Sequence, residues 1–288
     1  IYAMNEMQLN QPERVLEALR ETIDDATDAN LVGLYGFAAI SAGEPEEGLR
    51  SLRRAIELDP DKARFRLLLA RFFNTKASPE PEKALAEVKA ALAIGPEDPF
   101  VQTAILEQLG LMNRIEEARQ RVEVMLSEYG EKASTHQIVG SFQFRIREFE
   151  AAYESFAKAV AIDPDDERSH FGGGRTALEL RRLDDAATSF RELTRLSPDN
   201  AQAYKGRITV GEIQEDVEPV LADIERDARP GDTIVPLLVL AEYHARNSND
   251  DETDRMVALA EEKSPDAEMT RKFRLSLAFS RAQRAARL

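Results

Sequence analysis

A turn signature returns about every 34 residues along this chain: LDPDK from Leu58, IGPED from Ile94, IDPDD from Ile162, LSPDN from Leu196 and KSPDA from Lys263. Pro60 and Pro96 lie 36 residues apart, and Pro164 and Pro198 lie 34 apart. Gly130, in the EYGEK turn, falls 34 residues from both Pro96 and Pro164. From Pro198 to Pro265 the interval is 67, two units less one residue. A fixed period of this length means an array of small supersecondary units, none of which buries its apolar face without its neighbours.

Between turns the residues divide into two amphipathic stretches, such as Asn30 to Ala42 and Glu46 to Leu58, broken at Gly43, Glu44 and Pro45. Each is too short to be a stable helix alone. The second stretch repeats a small-large-small face in Ala152, Phe156, Ala159 and, less perfectly, Ala186, Phe190, Leu193, with the variants Ala84, Val88, Ala91; Ala118, Val122, Met125; and Gly48, Leu52, Ala55. At helical rise these residues share one side, small where helices approach and large where a gap is filled. The first stretch places a small residue eight positions into the unit: Gly36, Ala70, Gly140, Gly174, Ala241.

This pattern resembles the tetratricopeptide repeat, with an aromatic at position 4, Leu-Gly at 7 and 8, Ala at 20, Phe at 24, Ala at 27 and Pro at 32. The resemblance implies an all-α fold, an α-α superhelix: a right-handed solenoid of antiparallel helix pairs, with about seven units plus a C-terminal capping helix. One solenoid over 1–288 is expected, made of a truncated unit 1–28, regular units 29–62, 63–98, 99–132, 133–166 and 167–200, a degenerate unit 201–233, a unit 234–267 and a cap 268–288. In the truncated unit the second helix is expected at Pro12 to Ile23. Position 4 lacks Trp and holds Val32, Arg66, Gln102, His136, His170, Tyr204 and Leu237, so its packing departs from the consensus. The two extra residues of the second regular stretch fall in the turn Lys76 to Glu82. Leu106 replaces the small residue at position 8, so that pair should sit farther apart. Ala267 to Leu288 reads as a terminal helix with a polar outer face carrying Arg271, Lys272, Arg274, Arg281, Arg284 and Arg287. Ile1 is not an initiator Met, so the segment is read as a fragment or a processed chain, with any signal or anchor upstream.

With 38 basic and 53 acidic residues the formal charge is −15, which argues against a sequence-independent grip on nucleic acid phosphates or an anionic membrane. The chain has no cysteine, so disulfides, thiolate catalysis and Cys-ligated zinc are excluded. Cytoplasm and periplasm are both compatible. No apolar run is long enough for a membrane-spanning helix.

No catalytic constellation, metal motif or cofactor motif emerges, and the chain is read as a non-enzyme. His136, His170 and His244 lie in separate units, and none has another His or paired carboxylates at i+3 or i+4 in a metal-motif spacing. His136 and His170 are expected to fill part of the slot for the consensus aromatic. The Gly172, Gly173, Gly174, Arg175 run lacks the strand and frame of a phosphate loop and is expected to be a locally soft helix. Glu116 with Glu117, and Asp184 with Asp185, start second helices where acids complement the helix dipole.

The family resemblance implies that ligands meet positions 2, 5, 9, 12 and 13 of the first helices. Here those positions hold Arg64, Arg71, Phe144, Arg145, Arg168, Phe171, Arg175 and Lys205, a basic and aromatic patch, against dispersed acids Glu107, Glu179, Glu212 and Glu242. The expected partner is a protein or peptide bearing carboxylates, held by Arg and buried on Phe. The alternative reading pairs these cations with Glu on adjacent units. Position 6 is never Asn, so the carboxylate clamp of chaperone-adaptor repeats is not expected. The function expected is a non-catalytic interaction scaffold, in the manner of bacterial envelope or exopolysaccharide assembly proteins. Alternatives are a docking arm of a larger enzyme such as a transferase, and self-association through the basic C-terminal helix.

Overall fold

The computed structural model describes residues 12–75, 79–228, 233–265 and 268–285, with side chains as far as residue 279. Two compact units, Ile1–Gly130 and Glu131–Leu288, are taken separately. In the first lie α1 (Pro12–Leu19), α2 (Ala29–Ser41), α3 (Pro45–Leu58), α4 (Ala63–Thr75), α5 (Pro81–Ile94), α6 (Pro99–Leu111) and α7 (Ile115–Tyr129). The second holds α8 (Ala133–Arg145), α9 (Phe149–Ile162), α10 (Glu167–Glu179), α11 (Leu183–Leu196), α12 (Ala201–Ile213), α13 (Glu218–Ala228), α14 (Val235–Arg246), α15 (Asp250–Lys263) and α16 (Glu268–Ala285). The described residues contain no β-strand. The truncated unit's second helix is shorter than expected: α1 stops at Leu19 and a 3-10 turn covers Ile23–Asp25. There Thr22 returns both its N–H and its hydroxyl to the Leu19 carbonyl, at 3.0 and 3.2 Å, tightening the chain to i+3 bonding.

The turn signature works through its ends. In four units an Asx side chain, two residues after the proline or at the corresponding place, caps the next first helix. Asp98 accepts from the Phe100 N–H at 2.8 Å, Asp166 from Arg168 at 3.3 Å and Asn200 from Gln202 at 3.1 Å; Asp28 does the same for Asn30 at 2.8 Å. Such caps are worth about 0.5–2 kcal/mol each. The turn inside each pair uses a different device. Position 15 adopts positive φ, and the next N–H closes back on the carbonyl of position 11, as from Arg182 to Ala177 at 2.8 Å and from Glu148 to Gln143 at 2.9 Å. Only Gly43 is the residue suited to that conformation; Asn113, Arg147, Arg181, Glu215 and Ser248 hold φ between 56° and 66°. Residues 76–78 of the lengthened turn lie outside the described residues. Beyond them the Glu80 N–H still closes on the Phe73 carbonyl at 2.8 Å, so the two extra residues leave the closing bond intact.

Within each unit the first helices of successive pairs touch: α2 with α4, α4 with α6, and then α8, α10, α12, α14 and α16 in series. Second helices of successive pairs make no comparable approach. First helices therefore line the inner side of each bend. Paired helices approach closely wherever position 8 is small, and least closely in α6/α7 and α12/α13, where Leu106 and Ile208 occupy it. The expected small-large-small faces are buried throughout, including Ala152, Phe156, Ala159, Ala186, Phe190 and Leu193.

The glycine run in α10 has a packing cause, which corrects the soft-helix expectation. The helix is continuous over Glu167–Glu179. The Phe156 ring on α9 is seated between Gly140 of its own pair and Gly172 of the following one. A methyl group at Gly140 would lie 3.1 Å from the ring, and one at Gly172 would overlap it, with Cδ1 at 2.9 Å. Phe190 repeats the arrangement, 3.0 Å from a methyl at Gly174 and 2.6 Å from one at Gly206. Where position 24 is the smaller Val122, position 6 of the next pair is Ile138 rather than Gly. Gly173, by contrast, has ordinary space: its nearest neighbour would be Phe156 Cβ at 3.6 Å.

Position 4 also differs from its consensus for a visible reason. Gln102 Nε2 donates to the Pro96 carbonyl at 3.1 Å, and His170 Nε2 makes the same link to the Pro164 carbonyl at 2.8 Å. Because a carbonyl only accepts, Nε2 of His170 carries the proton. Both side chains are buried, as is His136, so all three fill the slot, and Gln102 and His170 also fasten their helices to the preceding turn.

In the weak segment from Ala201 a buried guanidinium adds to the apolar packing of Tyr204, Ile208, Leu221 and Ile224. Arg207 is 6% exposed, donates to Asp227 at 2.9 Å and to the Thr194 hydroxyl at 3.4 Å, and has Asp223 at 4.0 Å. Arg255 joins α15 to α13 by two bonds to Glu225, at 3.0 and 2.8 Å.

The terminal helix departs from the expected polar outer face. Thr270 and Leu277 are buried and Phe273 packs on the preceding core, while Met269, Leu275 and Phe279 are exposed. Its basic residues are partly engaged, Lys272 with Glu268 at 2.7 Å and Arg274 with Glu261 at 2.6 Å. The side chains of Arg281, Arg284 and Arg287 lie outside those described.

Two stability experiments follow from this packing. Gly172→Ala should lower the unfolding free energy by about 1–3 kcal/mol through overpacking, whereas Gly173→Ala should raise it by about 0.5–1 kcal/mol through helix propensity. Urea denaturation reads both, and Phe156→Leu should relieve the Gly172→Ala loss; equal effects at the two glycines would show that the ring yields freely. At the inner turns, Arg181→Gly and Glu215→Gly should each raise stability by up to about 1 kcal/mol by removing the left-handed penalty on a Cβ. A fall in melting temperature in either variant would contradict this.

Candidate functional site

The inner side of the second unit contains a recess of about 260 Å³ between the first helices α8 and α10. Gln137, Ser141 and Phe144 form one wall from α8, while Arg168, Phe171 and Arg175 form the other from α10. Its floor is the Phe156 ring, reached past the bare backbone of Gly172. The helical period explains the α10 wall: positions i, i+3 and i+7 share a face. Arg168, Phe171 and Arg175 therefore stand in a row, while Ser169, His170, Gly173 and Gly174 turn into the core.

Arg175 is held by rings rather than by an acid. Its guanidinium carbon lies 4.6 Å from the Phe144 centroid and 5.5 Å from that of Phe171. Cation–π contacts of this kind contribute about 0.5–1 kcal/mol at exposed sites. Phe144 is fixed in turn by an edge contact with Phe149 at 5.4 Å. Neither Arg168 nor Arg175 has an acidic partner among the described residues, and both are exposed. On the opposite wall Gln137 donates to the Ser141 hydroxyl at 2.9 Å. The result is a short apolar trough with two guanidiniums along one rim.

The next recess, about 200 Å³ between α12 and α14, has the opposite electrostatic character. Lys205 pairs with Glu242 at 2.7 Å, and Arg246 pairs with Glu212. Tyr243 lies beside them, its phenol held above the usual range chiefly by burial, with Glu212 and Glu218 adding to the shift. Here each cation is answered by an acid on the neighbouring first helix.

Of the eight residues expected from sequence, the structure brings four together: Phe144, Arg168, Phe171 and Arg175. Arg145 follows Phe144 on α8 and is exposed, but does not line the recess. Lys205 belongs to the paired recess. Arg64 and Arg71 lie on α4 in the first unit, where Arg71 stands 5.6 Å over the Phe37 ring. Gln137 and Ser141 stand at positions 5 and 9, among those expected to meet a ligand but outside the basic and aromatic patch, and sequence reasoning overlooked Phe156 and Gly172 as the floor. The recurrence of Phe at position 24 followed by Gly at position 6 of the next unit, in Phe156/Gly172 and Phe190/Gly206, was the available signal.

Antiparallel helix pairs on a 34-residue period, with first helices inside each bend, define an all-α repeat protein. Two stretches of the chain, residues 37–99 and 171–218, match the model of the tetratricopeptide repeat. No curated protein matches the chain in sequence. Among solved structures, a monomeric IFIT1 variant with m7Gppp-AAAA is 12% identical with a TM-score of 0.51, over 99% of this chain and 72% of that one. The Cut9–Hcn1 assembly of the APC/C is 11% identical with a TM-score of 0.50, over 94% of this chain and 47% of that one. A tetratricopeptide repeat protein from Parabacteroides merdae is 15% identical with a TM-score of 0.49, over 87% of this chain and 98% of that one. At these identities the likeness concerns the fold alone. Tetratricopeptide repeats serve generally as non-catalytic scaffolds that bind proteins or peptides. No described helix is long and apolar enough to cross a membrane, and no three acidic or imidazole groups gather in a metal-binding cluster among the described residues.

Proposed function

We propose that this protein is an interaction scaffold whose second unit captures a peptide segment carrying carboxylate and apolar side chains in the recess between α8 and α10. The observation behind this reading is the contrast between neighbouring recesses. Lys205 and Arg246 are neutralised by Glu242 and Glu212, whereas Arg168 and Arg175 face the recess without an acid among the described residues. In a chain of net charge −15, two uncompensated guanidiniums beside the half-buried Phe144 and Phe171 rings favour an acidic ligand over a basic one. Arg gives paired hydrogen bonds to a carboxylate, and the Phe144, Phe156 and Phe171 rings supply the apolar contact. A recess of about 260 Å³ suits one or two side chains of a chain segment rather than a drug-sized ligand, whose pockets run from about 300 to 1,000 Å³.

The test uses two fluorescein-labelled peptides, one rich in Glu and Leu and one with Lys in place of each Glu, followed by fluorescence anisotropy. The acidic peptide should bind, weaken as ionic strength rises, and lose at least about tenfold in affinity, about 1.4 kcal/mol, with Arg168→Glu/Arg175→Glu. Both residues are exposed, so the variant's circular dichroism and melting temperature should stay close to those of the parent chain. Equal binding of the two peptides, or a charge-reversed variant that binds the acidic one unchanged, would defeat the proposal.

A further inference from the structure

Building on the peptide-capture reading, we infer that the α8/α10 recess selects an extended, polyproline II segment with two carboxylates three residues apart. Arg168 and Arg175 are seven residues apart on one continuous helix, so their backbone positions are separated by about 10.5 Å along its axis. Seven residues fall only about 20° short of two full turns, so both side chains leave the α10 backbone in nearly the same direction. Phe171 sits between them on that row, and the ring contacts on Arg175 hold the far end of the pair in place.

A ligand that satisfies both cations must present two acids on one side at a matching distance. In a polyproline II segment every third residue faces the same way and the rise is about 3.1 Å, giving about 9.3 Å between residues i and i+3. A β-strand repeats its facing every second residue, which offers about 6.7 Å or about 13.4 Å and misses by several ångströms in both cases. An α-helical ligand would match at i and i+7, but with side chains it is about 10–12 Å across. Adjacent packed helices have axes only about 8–10 Å apart, and the recess between α8 and α10 holds about 260 Å³. An extended segment can run its backbone along the rim and lower one or two side chains into that space, which a helix of this width cannot enter.

The same geometry gives the intervening residues a role. With threefold facing, an acid row directed at α10 leaves the other two rows pointing away from it. One of those rows meets the Phe156 floor and the Phe144 ring, so an apolar residue between the acids completes the fit. Gln137 and Ser141 remain available on the α8 wall to hydrogen-bond the backbone, which in polyproline II has no internal hydrogen bonds. The ligand class is therefore an acid-x-x-acid segment in extended form with an apolar residue between the acids.

Fluorescence anisotropy on the full chain with short labelled Pro/Ala peptides of one composition tests the spacing, with two Glu placed two, three, four or seven residues apart. The three-residue spacing should bind tightest, by about tenfold over spacings of two and four. Arg168→Gln should remove that preference and leave the four peptides alike. A flat series with the parent chain, at any affinity, overturns the inference, as does a preference for seven, which would indicate a helical ligand. If the series is flat yet Arg168→Glu/Arg175→Glu still abolishes binding, the spacing rule falls and the capture reading stands. If the charge-reversed variant binds every peptide as the parent does, both fall.

Discussion

The seat of the Phe156 ring governs more of the second unit than any other contact. The ring is 2% exposed, closes the α8/α9 pair against Gly140, and supports the next first helix at Gly172. A close-packed interior transmits a change of one methyl group, because no void absorbs it. One side chain therefore sets two helix separations. It also forms the floor of the candidate site, so core packing and the shape of that recess depend on the same atoms. Phe190 performs the first of these tasks one repeat later, between Gly174 and Gly206, but does not line the recess of self-paired charges between α12 and α14.

The inner side of the second unit thus combines one scaffold with two electrostatic solutions. Where Glu242 and Glu212 answer Lys205 and Arg246, exposed ion pairs add little stability but remove the local field. Where the α10 cations are flanked by Phe144 and Phe171, the field remains and the guanidinium is oriented without an acid. The rings hold the Arg175 guanidinium without supplying a carboxylate to its N–H groups, whereas an acidic partner would occupy them. An aromatic clamp is therefore a better mount for a recognition residue than a salt bridge.

Much of the architecture was legible in the sequence because repeat periodicity turns local signals into tertiary ones. The proline turns, the acids opening α7 and α11 and the looser pair at Leu106 all follow from a residue's place within one unit. The site was half legible: the helical row Arg168, Phe171, Arg175 can be read from spacing, and Phe144 from its position in the preceding repeat. What escaped depended on contacts between units. The need for Gly172 arises from a ring sixteen residues earlier, and the pairing of Lys205 depends on Glu242, 37 residues on. The exposed Met269, Leu275 and Phe279 were missed because the basic residues dominated the reading of α16, although charge content does not determine which face of a helix turns inward.

The bond from the Glu80 N–H to the Phe73 carbonyl also separates two properties that repeat proteins usually vary together. In other pairs the same bond spans a five-residue interval, as from Glu148 to Gln143, and here it spans seven. The α4/α5 pair still packs closely around Ala70 and Ala84. Loop length is thus uncoupled from helix register, and the entropic charge for lengthening a closed loop grows only logarithmically. Such a junction is an attachment port: an affinity handle, a reporter or a further recognition module could be spliced there while the first helices kept their inward surface.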